Sequence, residues 1–164
     1  MPEKGHLLKS LVVFYSRTGT TKNVGKAIAE SLNSDIEAIV DMKKRSGVLG
    51  WIRAGKDAKK LTNIKEVTKD PAQYEVVVLG SPTWNNTFVP AIRTYINQYK
   101  DRFKKVACFC TQDGKETDTL TDMEAFCGQK PLATLSLRRK QEVQSGNYQE
   151  RVRQFVTRIC ERAG

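Results

Sequence analysis

The chain has one histidine, His6, and four cysteines with no C-x-x-C pair, which removes the usual ligand sets for a zinc centre. No metal site is expected. Cys108, Cys110, Cys127 and Cys160 read as buried thiols rather than as catalytic or redox groups, because free cysteine behaves mostly as a small core residue. No apolar stretch approaches the roughly 20 residues that span a bilayer. Residues 1–10 also lack the apolar segment of a signal peptide, so a cytoplasmic protein is expected. Two nucleotide-binding signatures are missing as well: the Gly-Lys-Ser/Thr ending of a triphosphate loop and the Gly-x-Gly-x-x-Gly of a dinucleotide site. Acidic residues are in deficit, 18 Asp plus Glu against 28 Lys plus Arg, for a formal net charge of +10. That balance favours acidic partners or surfaces. The basic residues are spread over several segments without interleaved stacking aromatics, so nucleic acid is not the expected partner. No acid–base pair suggests a catalytic residue.

The 164 residues suit a single domain spanning 1–164. Leu8 to Tyr15, Val76 to Gly80 and Val106 to Thr111 are near-continuous apolar runs, the pattern of parallel strands covered on both faces. Ile36 to Val40 and Leu132 to Leu137 are shorter or alternate apolar with polar, which suits sheet edges. Between these five strands lie stripes with helical spacing: Val24, Ala27, Ile28, Ser31 and Leu32; Ile92, Tyr95, Ile96 and Tyr99; Tyr148, Val152, Phe155, Val156 and Ile159. A weaker helix is predicted from Thr117 to Cys127. Alternating strands and helices predict an α/β fold with a doubly wound, five-stranded parallel sheet. Ser46 to Thr62 carries Val48, Trp51, Ile52, Ala58 and Leu61 on one face of a predicted basic helix. This segment serves as the crossover between the second and third strands, or presents a basic face to an anionic membrane surface or acidic protein.

Three turns follow the central strands. Ser16-Arg17-Thr18-Gly19-Thr20-Thr21 joins the first strand to a helix, where unpaired backbone N–H groups and hydroxyls can surround a phosphate. The same residue types also make ordinary helix caps. Gly80-Ser81-Pro82-Thr83-Trp84-Asn85-Asn86 follows the third strand, and Thr111-Gln112-Asp113-Gly114 follows the fourth. In open α/β sheets ligands bind at the carboxyl ends of strands, where the strand order reverses. Beside a phosphate cradle, Trp84 is a candidate to stack on a flat ring.

On these turns and the strand–helix rhythm from Leu8 to Cys160, the sequence resembles the flavodoxin-like family. The resemblance implies a three-layer α/β/α fold with strand order 2-1-3-4-5 and FMN at the switch point, flavodoxin being the reference example of that order. It further implies that Ser16, Thr18, Gly19, Thr20 and Thr21, with Arg17 in the same turn, take the FMN phosphate. Ser81, Pro82, Thr83 and Trp84 line the flavin, followed by Asn85, Asn86, Thr111, Gln112, Asp113 and Gly114. A backbone hydrogen bond near flavin N5 is expected from the Pro82 to Asn85 turn. The implied function is an FMN-binding redox protein, an electron carrier or a small quinone or flavin reductase, with a nicotinamide or protein donor.

Two departures from the family bear on this. The loop after the fourth strand offers no second aromatic, which leaves one ring face open to a planar partner unless Trp51 or another distant aromatic covers it. The family's carriers are generally acidic, whereas this chain is basic, so its partners are expected to be acidic or small. Two alternatives stand beside the redox carrier or reductase: a protoporphyrinogen-type oxidase working near a membrane, and a flavin-free basic module that binds acidic partners.

Overall fold

A computed structural model describes residues 7–43 and 60–164. Trp51, His6 and the part of the basic crossover from Ser46 to Lys59 lie outside the described residues. Among the described residues, six strands and four α-helices follow in chain order: β1 (Ser10–Phe14), α1 (Thr20–Leu32), β2 (Asp35–Ala38), β3 (Val76–Trp84), β4 (Thr87–Phe88), α2 (Pro90–Tyr99), β5 (Lys105–Gln112), α3 (Thr119–Cys127), β6 (Thr134–Arg138) and α4 (Gln149–Ala163). A six-residue π-helix, Arg139–Gln144, links β6 to the approach to α4.

Five strands run parallel in the order β2-β1-β3-β5-β6, and the short β4 pairs antiparallel with the end of β3. This is the doubly wound order expected from the sequence, with β5 and β6 as the fourth and fifth parallel strands. Side chains alternate across the sheet because strand residues point to opposite faces in turn. Leu11, Val13, Val77, Leu79, Val106 and Cys108 enter one core with Ile92, Tyr95 and Ile96 of α2 and Met123 and Cys127 of α3. Val12, Phe14, Val76, Val78, Ala107 and Phe109 enter the other, with Val24 and Ile28 of α1 and Val152, Phe155 and Ile159 of α4. The near-continuous apolar runs of β1, β3 and β5 therefore reflect two buried faces.

Three details differ from the sequence reading. The third strand continues through Trp84 and turns back as β4, where a loop was expected. The edge strands are shifted by one or two residues, to Asp35–Ala38 and Thr134–Arg138. Cys108, Cys110 and Cys127 are buried, but Cys160 is exposed. The inward stripe of α4 passes through Ile159, and Cys160 lies about 100° further round the helix. A thiol hydrogen bond with Cys127 and burial hold the Cys108 thiol well above its ordinary pKa, and burial raises that of Cys110. Both thiols therefore stay protonated at neutral pH, as core residues do.

Just past the end of β2 the chain pairs with the segment that returns toward β3. Asp41 bridges Ile64 antiparallel, and the Met42 and Lys65 amides donate to the Asn63 and Val40 carbonyls at 2.9 and 3.0 Å. The buried Glu37 carboxylate accepts from the Thr68 amide at 2.5 Å and the Thr68 hydroxyl at 3.0 Å.

Gly80 lies at the centre of the sheet opposite Phe109 of β5. A Cβ added at Gly80 would stand 2.0 Å from Phe109 Cζ, so the ring occupies the space a side chain would need. Gly80→Ala is expected to lower stability by about 1–3 kcal/mol through overpacking. Urea unfolding is the check, and Phe109→Leu in the same chain should recover part of the loss.

Candidate functional site

The turn from β1 into α1 is set by Gly19, which caps the helix at φ +100°, a conformation costly for other residues. Its amide donates to Ser16 Oγ at 3.1 Å, which folds the turn back on itself. The first intrahelical bond runs from the Asn23 amide to the Gly19 carbonyl at 3.0 Å. The amides that precede Asn23 in the helix have no intrahelical acceptor by geometry. No side chain caps them, and the first turn of α1 holds no acidic residue. Their partial positive charge thus faces a rim of hydroxyls from Ser16, Thr18, Thr20 and Thr21. Thr21 is buried, and its hydroxyl shares a 2.8 Å hydrogen bond with that of Thr111, tying this turn to the end of β5.

The second wall comes from the β3–β4 hairpin. Pro82, Thr83 and Trp84 line the cleft. The Trp84 ring stands edge-on to Tyr15, with centroids 5.5 Å apart and planes at 90°. Asn85 and Asn86 occupy the tip at φ 49° and 67°, the left-handed pair that a two-residue hairpin turn requires. Both are exposed, and Asn86 Nδ2 donates to Asp118 at 2.8 Å. Ser81 does not reach the cleft: it is fully buried, donating to the Pro82 carbonyl at 2.7 Å and accepting the Val89 amide at 3.1 Å. Its hydroxyl satisfies the backbone of the hairpin.

The third wall is the end of β5, where Thr111, Gln112 and Asp113 line the same cleft, while Gly114 lies beyond the lining. Gln112 is buried; its Nε2 donates to Ser136 Oγ at 2.7 Å, and its Oε1 is buried with no partner among the described residues. A fourth element joins these three. Arg139, at the start of the π-helix, lines the cleft and donates from Nε to Asp113 at 2.7 Å. The loop after the fifth parallel strand also opens at the carboxyl edge. Its Arg138-Arg139-Lys140 run was the available signal, but it carries no hydroxyl or aromatic signature like the other three loops.

The four elements border an open cleft of about 640 Å³, a volume that includes space open to solvent. One end offers helix amides and hydroxyls, which suit a phosphate. The other offers one large aromatic, Trp84, and amide and hydroxyl groups from Thr83, Thr111 and Gln112, which suit a flat heteroaromatic ring. Asp113 is the one carboxylate in the lining against two guanidiniums, Arg17 and Arg139.

Glu142 holds the π-helix in place. It accepts from the Arg138 amide and from Arg151 Nη1, each at 2.7 Å. Burial pushes its pKa up, but these two donors outweigh that and hold it below the usual carboxylate value.

The sequence model for the family described as Flavodoxin matches residues 9–133. Among solved structures, a flavoprotein from Lactobacillus acidophilus in complex with FMN is similar at 20% identity and TM-score 0.67, covering 84% of this chain and 97% of that one. A proposed flavoprotein from Bacteroides uniformis is similar at 23% identity and TM-score 0.76, covering 93% and 99%. The two-electron reduced flavodoxin of Megasphaera elsdenii is similar at 13% identity and TM-score 0.59, covering 90% and 98%. At these identities the three structural likenesses establish the fold.

A carboxylate with a depressed folded pKa adds stability above its unfolded pKa and loses it as pH falls through the folded value. Glu142→Gln should therefore lower stability at neutral pH. It should also reduce the further loss seen on acidifying from about pH 5 to about pH 3. Denaturant midpoints measured across that range for both proteins check the sign.

Proposed function

Because the chain belongs to the flavodoxin family, we propose that it binds FMN in the cleft between α1, the β3–β4 hairpin and the ends of β5 and β6, and passes electrons from a donor to an acceptor. The observation that carries this reading is the pairing within one cleft of an uncapped, acid-free helix start with a large aromatic on the opposite wall. Bound FMN would supply the one- or two-electron chemistry, and the protein would supply orientation and electrostatics.

The α1 amides with Ser16, Thr18, Thr20 and Thr21 hold the phosphate, and Gly19 gives the turn its shape. Arg17 adds positive charge at the rim. Trp84 provides the flat wall, with Pro82 and Thr83 beside it, while Gln112 and Asp113 flank the ring from β5. Ser81, Asn85 and Asn86 act one step removed by fixing the hairpin's backbone, and Thr111 acts through Thr21. Among the described residues Trp84 is the one aromatic in the lining. On the described residues, which do not include Trp51, no second aromatic covers the opposite ring face, and a face left open to a planar partner such as a nicotinamide or quinone favours a small reductase over a pure one-electron carrier. The net charge of +10 favours acidic protein partners over basic ones. No helix among the described residues is long and apolar enough to cross a membrane.

FMN titrated into the purified protein should lose its fluorescence on binding. Trp84→Ala should weaken binding about 10-fold, equivalent to about 1.4 kcal/mol. Ser16→Ala should weaken FMN more than riboflavin, which lacks the phosphate. Unquenched fluorescence with the wild-type protein would overturn the reading. For the bound protein, NAD(P)H consumption with a quinone supports the reductase, and its absence alongside reduction by a protein donor supports the carrier.

A further inference from the structure

The hairpin that carries Trp84 is held from behind by an array on its return strand. Thr87 of β4 is the direct cross-strand partner of Trp84. Thr87 is buried; its hydroxyl donates to Asp122 Oδ2 at 2.6 Å and accepts from Arg93 Nη2 at 3.3 Å. The Arg93 guanidinium lies 3.8 Å from the Phe88 ring centroid and 5.2 Å from that of Phe126, and the two rings meet edge-on at 5.7 Å. Arg93 Nε is buried without a partner among the described residues.

A half-buried guanidinium with an unsatisfied N–H is a costly element to place behind a surface hairpin. Its placement explains the cost. Arg93 comes from α2, Asp122 from the first turn of α3, and Thr87 from the hairpin, so the array joins three elements at the residue facing Trp84. Two more contacts run in parallel: Thr83 Oγ1 to Thr119 Oγ1 at 2.8 Å, and Asn86 to Asp118 at 2.8 Å. An isolated hairpin is marginally stable in water, so without such anchors its tip would sample several positions.

We propose that Arg93, Thr87 and Asp122 are positioning residues: they clamp the β3–β4 hairpin to the start of α3 and so hold the Trp84 ring at the cleft wall before any ligand arrives. None of the three residues lines the cleft itself. The array acts through Trp84, and a preformed wall reduces the ordering cost of binding. For its effect on binding the inference rests on the FMN reading. For the position of Trp84 it stands alone.

The test separates the two. The chain has two tryptophans, so Trp51→Phe leaves Trp84 as the only reporter. In that background and without flavin, Thr87→Val keeps the side-chain shape and removes the hydroxyl. The expected result is loss of Trp84 near-UV ellipticity and a larger acrylamide quenching constant, with the far-UV spectrum unchanged, and Thr87→Ser should restore both signals. Asp122→Asn, which keeps an acceptor for Thr87 but removes the charge beside Arg93, should give an intermediate change and carries the same test if Thr87→Val does not fold. With ligand, Thr87→Val should raise the dissociation constants of FMN and riboflavin by the same factor, no larger than the roughly tenfold expected for Trp84→Ala, because the array acts only through that ring. A folded Thr87→Val or Asp122→Asn chain with wild-type Trp84 signals would overturn the clamp, even if its urea midpoint had fallen. Absence of flavin binding by the wild type would instead overturn the FMN reading and leave the Trp84 result to decide the clamp.

Discussion

The site depends on where the winding of the sheet reverses. β1 pairs with β2 on one side and β3 on the other, so the connections leaving β1 and β3 cover opposite faces. α1 packs on one core and α2 on the other. The connections at the carboxyl ends of adjacent strands therefore diverge and leave a crevice that no helix among the described residues fills. Everything that makes the cleft chemically distinctive is placed by that divergence: the start of α1 on one lip, the β3–β4 hairpin on the other, and β5 with the π-helix behind.

Given the crevice, local chemistry decides what fits it. Gly19 turns the chain so that the amides at the start of α1 face inward rather than being capped. The buried bond between Thr21 and Thr111 fixes the distance between the phosphate end and β5. Arg139 and Asp113 close the remaining side with opposite charges, but the Asp113 side chain is 80% exposed, so water screens this pair strongly. The pair orients the guanidinium more than it stabilises the fold.

Much of this was legible in the sequence because parallel strands buried on both faces leave long apolar runs, and because hydroxyls and glycine between such a run and a helical stripe mark a helix start, as a cap or as an anion cradle. The hairpin was harder to read. β4 is two residues long, too short for a periodic signal, and Asn85-Asn86 is a weaker turn signature than Asn-Gly. Ser81 illustrates a general ambiguity: a serine beside a cleft can serve a ligand or its own backbone, and here its hydroxyl is occupied by Pro82 and Val89. Arg139 was missed because its position depends on a π-helix and on Glu142, neither of which leaves a pattern in a single sequence.

The way the chain finishes the sheet at β2 bears on solubility. An unpaired outer strand is a template onto which another molecule's strand can dock. Here the antiparallel bridge from Asp41 to Ile64 pairs the chain with itself just past the end of β2, and buried Glu37 anchors Thr68 nearby. The border left to an incoming strand is then no longer than the four residues of β2, and so short an outer strand is a poor seed for the lateral addition that begins ordered aggregation.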